Sequence, residues 1–206
     1  MQVTTIGLDL AKNIFQVHGV REDGSVAFNR PVRRAQLLQF FKKRPPCLVG
    51  MEACGSSHYW GRELTKLGHD VRLMAPVYVK PYVKRGKSDA ADAEAICEAV
   101  TRPTMRFVPI KSVEQQGVLT QHRVRELLIR QRTQLSNTIR ALVGEFGYII
   151  RKGVNYIRDF AIDMRAGGTE GIPSMARSAI TALCRQFLEL NEKLIKVEKE
   201  IVRVAR

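Results

Sequence analysis

The sequence predicts an α/β domain followed by an α-helical region. Over the first hundred residues, short apolar segments typical of strands alternate with amphipathic segments typical of helices. After Pro109 this alternation stops, and two long helical patterns follow. We therefore expect a mixed sheet with flanking helices over residues 1–110 and a long helical hairpin or coiled coil over residues 111–206.

The first three predicted strands form an antiparallel meander. VTTIGLDL (3–10) and IFQVHGV (14–20) are rich in apolar and β-branched residues, as strands usually are. An Asp-Gly turn in REDGS (21–25) then leads into VAFNRPV (26–32). RRAQLLQFFKKR (33–44) follows as an amphipathic helix that two prolines stop.

The rest of the predicted domain alternates strands with helices. CLVGME (47–52) is nearly all apolar, which is typical of a central strand of a sheet. SSHYWGRELTKLG (56–68) reads as a helix and HDVRLM (69–74) as a further strand. The basic, proline-containing segment 75–87 is predicted to be a loop, and the helix 89–102 follows it with Ser88 as N-cap.

The helical region contains two long apolar stripes joined by a connector, residues 147–173. The first stripe runs through a helix predicted over 112–146; its members are Val124, Leu128, Leu135, Ile139, Leu142 and Phe146. The second has alternating spacings of three and four; its members are Ile180, Leu183, Phe187, Leu190, Leu194, Val197, Ile201 and Val204. Such spacing is typical of a coiled coil, so we expect a hairpin packed on itself or on a second subunit.

The charge of the chain indicates a polyanionic partner. Its 206 residues include 34 Lys and Arg against 20 Asp and Glu, for a net charge of +14. Nucleic acid is the commonest partner of so basic a surface, with an anionic membrane or a ribosomal setting as alternatives. We expect no membrane span, no signal peptide and four reduced cysteines, and hence a cytoplasmic protein.

Four acidic residues fall where strands end and helices begin. Asp9 and Glu52 interrupt apolar strands, and Asp89 and Asp92 lie three residues apart at the start of a helix. Grouped carboxylates are compensated by a cation, and oxygen ligands favour Mg²⁺ or Mn²⁺. Singly, each acid also has a structural interpretation: a helix-dipole partner for Asp89 and Asp92, a turn residue for Asp9, an arginine partner for Glu52.

Three motifs carry a family resemblance. GLDLAKN (7–13), GMEACGSSHYW (50–60) and KRGKSDAADAEAI (84–96) resemble the acidic motifs of the DEDD transposases of the insertion sequence 110 family, which includes Piv-type DNA invertases. The resemblance extends over essentially the whole chain and is most specific in KSDAADA (87–93).

The resemblance implies a RuvC-like domain of ribonuclease-H fold followed by a coiled coil. By motif, the catalytic, metal-binding tetrad falls on Asp9, Glu52, Asp89 and Asp92. These residues would hold Mg²⁺ for DNA strand cleavage and exchange during transposition, with a bridge-type guide RNA that pairs with donor and target DNA.

The family pattern also includes a C-terminal domain with a nucleophilic serine in a G-I-G-type motif. This sequence ends at VEKEIVRVAR (197–206), where that domain would begin. We therefore expect the serine domain to be absent from this chain, assign no serine nucleophile, and expect recombination by this chain alone to be impaired.

Two groups of basic residues are candidates for nucleic-acid binding. The first adjoins the acidic motif and is interleaved with Tyr78 and Tyr82; its members are Lys80, Lys84, Arg85 and Lys87. The second lies on the first long helix; its members are Arg123, Arg125, Arg130, Arg132 and Arg140. A solvated loop and an ordinary coiled-coil surface are the structural alternatives.

The leading hypothesis is a transposase represented by its metal-binding and coiled-coil parts, acting near the nucleoid as a dimer or tetramer. One alternative is a stand-alone Mg²⁺-dependent nuclease that resembles a junction resolvase. The other is a non-catalytic nucleic-acid-binding dimer that modulates a full-length transposase.

Overall fold

The computed structural model describes residues 2–84, 86 and 88–204, and it divides into two compact units, Met1–Ser112 and Val113–Arg206. In the described residues of the first unit, six strands form one mixed sheet. In chain order the strands are β1 (Val3–Asp9), β2 (Ile14–Arg21), β3 (Val26–Arg33), β4 (Leu48–Glu52), β5 (Asp70–Met74) and β6 (Phe107–Val108).

The order across the sheet is β3-β2-β1-β4-β5-β6. Strands β1, β2 and β3 pair antiparallel, β4 runs parallel to both β1 and β5, and β6 is antiparallel to β5. The predicted meander, the central position of β4 and the mixed sheet are confirmed. Strand β6 was not predicted, because two residues are too short to show a periodic pattern.

Over the described residues, four α-helices belong to the first unit and three to the second. They are α1 (Leu37–Lys42), α2 (Ser57–Lys66), α3 (Pro76–Val79), α4 (Asp89–Val100), α5 (Val113–Gly144), α6 (Val154–Arg165) and α7 (Ser174–Val204). The prediction of a plain loop over 75–87 was wrong: Pro76 starts α3, where its fixed φ suits the first helical position, and a 3-10 turn follows at Lys80–Tyr82. The connector 147–173 also contains a helix, α6, which buries Ile157, Ala161 and Met164 on one side.

The sheet of the first unit is covered on both faces. On one face, side chains of β1 and β2 such as Leu8 and Phe15 pack with α1 and α2 in the main core. On the other face lies α4, and it approaches β1 closely at Gly7. A Cβ atom at Gly7 would stand 2.1 Å from the carbonyl oxygen of Ala93 and 2.5 Å from the backbone nitrogen of Cys97.

The second unit is a helical hairpin with α6 packed against it. Arg125 on α5 pairs with Glu198 on α7, and Arg132 bonds to Asn191, so residue numbers fall along α7 as they rise along α5. The two helices are therefore antiparallel, as a hairpin requires. No helix in the described part of the chain combines the length and the apolar character needed to cross a bilayer.

The predicted stripe of α7 faces inward over most of its length. Ile180, Phe187, Leu190 and Leu194 are buried, whereas Val204 at the end is 57% exposed. The stripe predicted for α5 was wrong at three positions, since Val124, Leu142 and Phe146 are exposed. Ile139 is buried as predicted, together with Ser136 and Val143. Successive residues of a helix are rotated by about 100°, so Leu142 points to one side of the inward-facing Val143.

We predict that Gly7→Ala destabilises the first unit, because the new Cβ meets backbone atoms of α4 that cannot move independently. The expected cost is about 1–3 kcal/mol or more, a loss that lowers the melting temperature by several degrees. Gly55→Ala is the matched control, since a Cβ there has no atom within 4 Å. Equal melting temperatures for the two variants would contradict the close packing of α4 on β1.

Candidate metal centre

Two strand ends place two of the acidic residues side by side. In the parallel pairing of β1 with β4, Leu8 is the partner of Met51, so Asp9 and Glu52 follow on adjacent strands at the same edge of the sheet. Side chains alternate along a strand, so Asp9 projects to the same face as Gly7, the face that α4 covers. The C-terminal edge of parallel strands is the usual location of functional groups in α/β sheets.

The other two acidic residues come from the first turn of α4. Ser88 has extended backbone geometry, and its hydroxyl accepts a hydrogen bond from the backbone N–H of Ala91 at 3.3 Å. The predicted N-cap is thus confirmed, and it fixes the start of the helix. Asp89 and Asp92 lie one turn apart and project from the same side of that first turn.

Three of the four predicted carboxylates form one cluster. Oxygen atoms of Asp9, Asp89 and Asp92 all lie within 4.8 Å of one another. Asp9 and Asp92 are half-buried and Asp89 is exposed. Glu52 is not a member of this tight group, but its carboxylate is near enough to feel the charges of Asp9 and Asp92.

Burial and like charge both act against ionisation of this cluster. Burial, followed by the charges of Asp92 and Asp89, raises the pKa of Asp9, although the backbone N–H of Leu10 partly offsets this. Burial, followed by the charges of Asp9 and Asp92, raises the pKa of Glu52. Such carboxylates need a proton or a cation to relieve their mutual repulsion.

Within the described residues, no lysine or arginine forms an ion pair with any of these four carboxylates. The arginine partner considered for Glu52 is therefore not found among them. A set of closely spaced carboxylate oxygens, with no nitrogen or sulfur ligand, suits hard cations such as Mg²⁺. The residues present fit a divalent metal ion.

A polar relay that the sequence did not indicate ties the first turn of α4 to the sheet. The Asn29 side-chain amide on β3 donates to the carbonyl oxygen of Ala90 at 3.2 Å. The amide of Gln16 on β2 donates in turn to the Asn29 side-chain oxygen at 2.6 Å. Gln16 is also the cross-strand partner of Asp9. The relay joins residues 61 positions apart, so no local sequence signal could have identified it.

The basic residues beside the centre differ in their exposure and in whether their charge is already paired. Lys80 is exposed in the 3-10 turn, whereas Lys84 is ion-paired with Glu94 of α4. Tyr78 is exposed, but Tyr82 packs against the apolar cluster beneath α4. Arg85 and Lys87 lie outside the described residues.

The five arginines of α5 fall into two groups. Arg125, Arg132 and Arg140 are half-buried and bonded within the unit: to Glu198, to Asn191, and to the carbonyl oxygens of residues 151 and 153. Arg123 and Arg130 are exposed, and neither has a hydrogen-bond or ion-pair partner among the described residues. The α5 sequence suggested uncompensated charge throughout because partners on another element, such as Glu198, cannot be read from it.

Comparison with known proteins identifies relatives over nearly the whole chain. A protein of Pseudomonas aeruginosa named "Probable family 20 transposase" is 50% identical over 98% of this chain and 60% of its own length. The transposase for insertion sequence element IS1328 of Yersinia enterocolitica is 37% identical over 97% of this chain and 59% of its own length. The transposase for insertion sequence element IS1111A of Coxiella burnetii is 35% identical over 99% of this chain and 56% of its own length.

This chain thus spans somewhat more than half the length of these curated relatives. Independently, residues 6–147 match the sequence profile of the IS110-type DEDD family, which is described as a transposase. The matched segment contains all four acidic residues, both strand ends and the capped first turn of α4. Since this match extends over well more than half of the sequence, the chain belongs to the DEDD transposase family of the insertion sequence 110 type.

Proposed function

We propose that this chain is the metal-binding and nucleic-acid-binding part of an insertion sequence transposase. In this proposal Asp9, Glu52, Asp89 and Asp92 hold Mg²⁺, or Mn²⁺, for DNA strand cleavage and exchange. The observation that carries it is the convergence of Asp9, Asp89 and Asp92 within 4.8 Å, with no cationic partner among the described residues.

The four acidic residues come from two parts of the fold, the strand ends and the first turn of α4. Asp9 and Glu52 extend from strands held by hydrogen bonds on both sides, so they offer rigid ligands. Asp89 and Asp92 are oriented by the Ser88 cap and by the bond from Asn29 to Ala90 in the same turn. Bound metal ions would stabilise the attacking and the leaving oxygen of a phosphodiester.

Basic residues in each unit would hold the DNA backbone, and in the first unit they lie beside the metal centre. Lys80 is the described residue beside it that has most freedom to contact a phosphate, and Lys84 would have to exchange its bond to Glu94. On α5, Arg123 and Arg130 are the better candidates, because their charges are not already paired within the chain. Each phosphate contact would make binding more sensitive to salt.

Three further parts of the proposal rest on the family resemblance. A guide RNA would pair with donor and target DNA, the helical unit would mediate assembly into a dimer or tetramer, and the protein would act at the nucleoid. Recombination as a whole would involve a protein of the relatives' full length, and the described residues would contribute the metal centre to it.

Unaided cleavage distinguishes this proposal from a stand-alone nuclease. We predict that the purified chain with Mg²⁺ leaves linear and branched DNA largely uncut, while it binds both. Robust cleavage of branched DNA that Asp9→Asn abolishes would instead favour a resolvase-like nuclease. If Asp9→Asn, Glu52→Gln and Asp92→Asn leave Mg²⁺ binding and every other activity unchanged, the acids have no metal role and the non-catalytic alternative is favoured.

We predict that Mg²⁺ raises the melting temperature of the wild-type chain and not that of Asp9→Asn. A ligand at about 100 times its Kd stabilises the folded state by about 2.7 kcal/mol. Without metal, Asp9→Asn should melt at a higher temperature than the wild type, because it removes one of the mutually repelling charges.

Asp70→Asn is the matched control for this experiment, since Asp70 is exposed and paired with Arg72 away from the cluster. It should keep the full response to Mg²⁺. A lower melting temperature for metal-free Asp9→Asn would mean that Asp9 is a structural residue and would argue against the metal site.

We also predict a pH dependence of stability for the metal-free protein. The folded state binds protons at Asp9 and Glu52 more tightly than the unfolded chain does, since both pKa values are raised. The contribution of these groups to the free energy of unfolding therefore increases as the pH falls through the raised pKa values, and it levels off below the ordinary carboxylate range.

Asp23 and Glu94 have lowered pKa values and act in the opposite direction, so the informative quantity is the difference between wild type and Asp9→Asn. Denaturant titrations between about pH 7 and about pH 4 should show the stability advantage of Asp9→Asn shrinking as the pH falls. A difference that stays constant over this range would contradict the predicted repulsion.

A further inference from the structure

A concave basic surface lies on the first unit, on the face of the sheet opposite α4. It encloses about 650 Å³ between the edge strand β3 and helix α1. Its lining includes three cationic side chains and two amides, and no acidic residue: Arg30, Gln36, Gln39, Lys43 and Arg44. We call this set the β3–α1 surface.

The sequence around the β3–α1 surface is unusually poor in negative charge. Between Asp23 and Glu52 there is no acidic residue, whereas six residues are Lys or Arg. Ordinary solvated surfaces mix both signs of charge. The positive charge of this surface therefore has no local partner along the chain.

The structure orients one of these cations before any ligand arrives. The Arg44 guanidinium carbon lies 3.4 Å from the centre of the Phe40 ring and 5.1 Å from that of Phe28. The same guanidinium donates a hydrogen bond to the carbonyl oxygen of Phe40. Aromatic stacking and a backbone bond thus restrict Arg44 to one position.

A second guanidinium lies close to the first. Arg30 stands over the same Phe40 ring, at 5.4 Å from its centre. Burial and the charge of Arg30 lower the pKa of Arg44, and no acidic side chain among the described residues pairs with Arg30, Lys43 or Arg44. Two like charges beside the same ring, with no counter-ion among the described residues, form an arrangement that an anion would stabilise.

From this geometry we infer that the β3–α1 surface is a second docking site for the phosphate backbone of DNA, separate from the acidic centre. Arg30, Lys43 and Arg44 contact phosphates, and Gln36 and Gln39 donate hydrogen bonds to phosphate or sugar oxygens. The choice of DNA as the polyanion rests on the proposed function.

The β3–α1 surface and the acids lie on opposite faces of the sheet, so they would contact different phosphates. Across β2, Arg30 is level with Leu8, the residue before Asp9, but Arg30 stands over the Phe40 ring of α1, whereas Asp9 projects to the face that α4 covers. Binding there therefore anchors DNA without metal, and its loss should leave Mg²⁺ binding intact.

The test is DNA affinity measured by fluorescence anisotropy of a labelled duplex over a range of salt concentrations. Arg30 and Lys43 are exposed, so R30Q/K43Q should fold normally, as melting temperature would verify. At about 0.15 M salt we expect roughly 30-fold weaker binding, and a salt dependence of log K lowered by about 2, since two phosphate contacts are lost. The charge-conserving R30K/K43R should bind within about two-fold of wild type.

K66Q/R72Q is the matched control, because it removes the same charge from exposed residues of the same unit that already pair with Glu63 and Asp70. It should bind DNA within about two-fold of wild type. All variants should keep the full Mg²⁺-induced rise in melting temperature, so loss of the docking site and failure of the metal centre remain distinguishable.

Equal affinity and equal salt dependence for R30Q/K43Q and K66Q/R72Q would overturn the inference, as would a wild-type chain without salt-dependent DNA binding. A larger loss on an RNA duplex of the same sequence than on DNA would also overturn it, because the surface would then be an RNA site.

Discussion

Helix α4 can lie against β1 and β4 only because glycine occupies the contact positions. At Gly50, as at Gly7, an added Cβ would be within 3 Å of an α4 atom, here the Cβ of Val100. The resulting short distance between helix and sheet sets the height of the first turn of α4 above the strand ends. The convergence of the acidic residues depends on this packing, since two come from the sheet and two from the helix.

The same packing creates the electrostatic conflict at the centre. The buried turn of α4 (Ala93, Ile96 and Cys97) brings Asp92 near Asp9 whether or not a cation is present. Apolar contacts beneath the helix offset the repulsion, and the Ser88 cap and Asn29 bond hold the turn that the repulsion would otherwise loosen. Carboxylates whose pKa values are raised by burial and by neighbouring like charges are typical of functional sites.

The basic residues of this protein differ in whether their charge is already paired within the fold. Lys84, Arg125 and Arg132 have partners within the fold, and part of the charge counted in the sequence is therefore already used. Arg123 and Arg130 project from α5, and the β3–α1 surface groups three cations, two of them against aromatic rings. A net charge of +14 predicts a polyanionic partner, but pairing within the fold decides which residues are free to meet it.

By itself, the sequence determined most of the element types, the antiparallel meander, the N-cap at Ser88 and the candidate acidic residues, because these depend on local spacing and on short motifs. The tertiary structure decided which acids meet, since only the β1–β4 register and the α4 packing bring Asp9, Asp89 and Asp92 within 4.8 Å while Glu52 stays beside them. It also decided the inner face of α5, the Gln16–Asn29 relay and the pairing of Arg125. Each of these depends on contacts between residues that are distant along the chain, and such contacts produce no periodic pattern in the sequence from which they could be predicted.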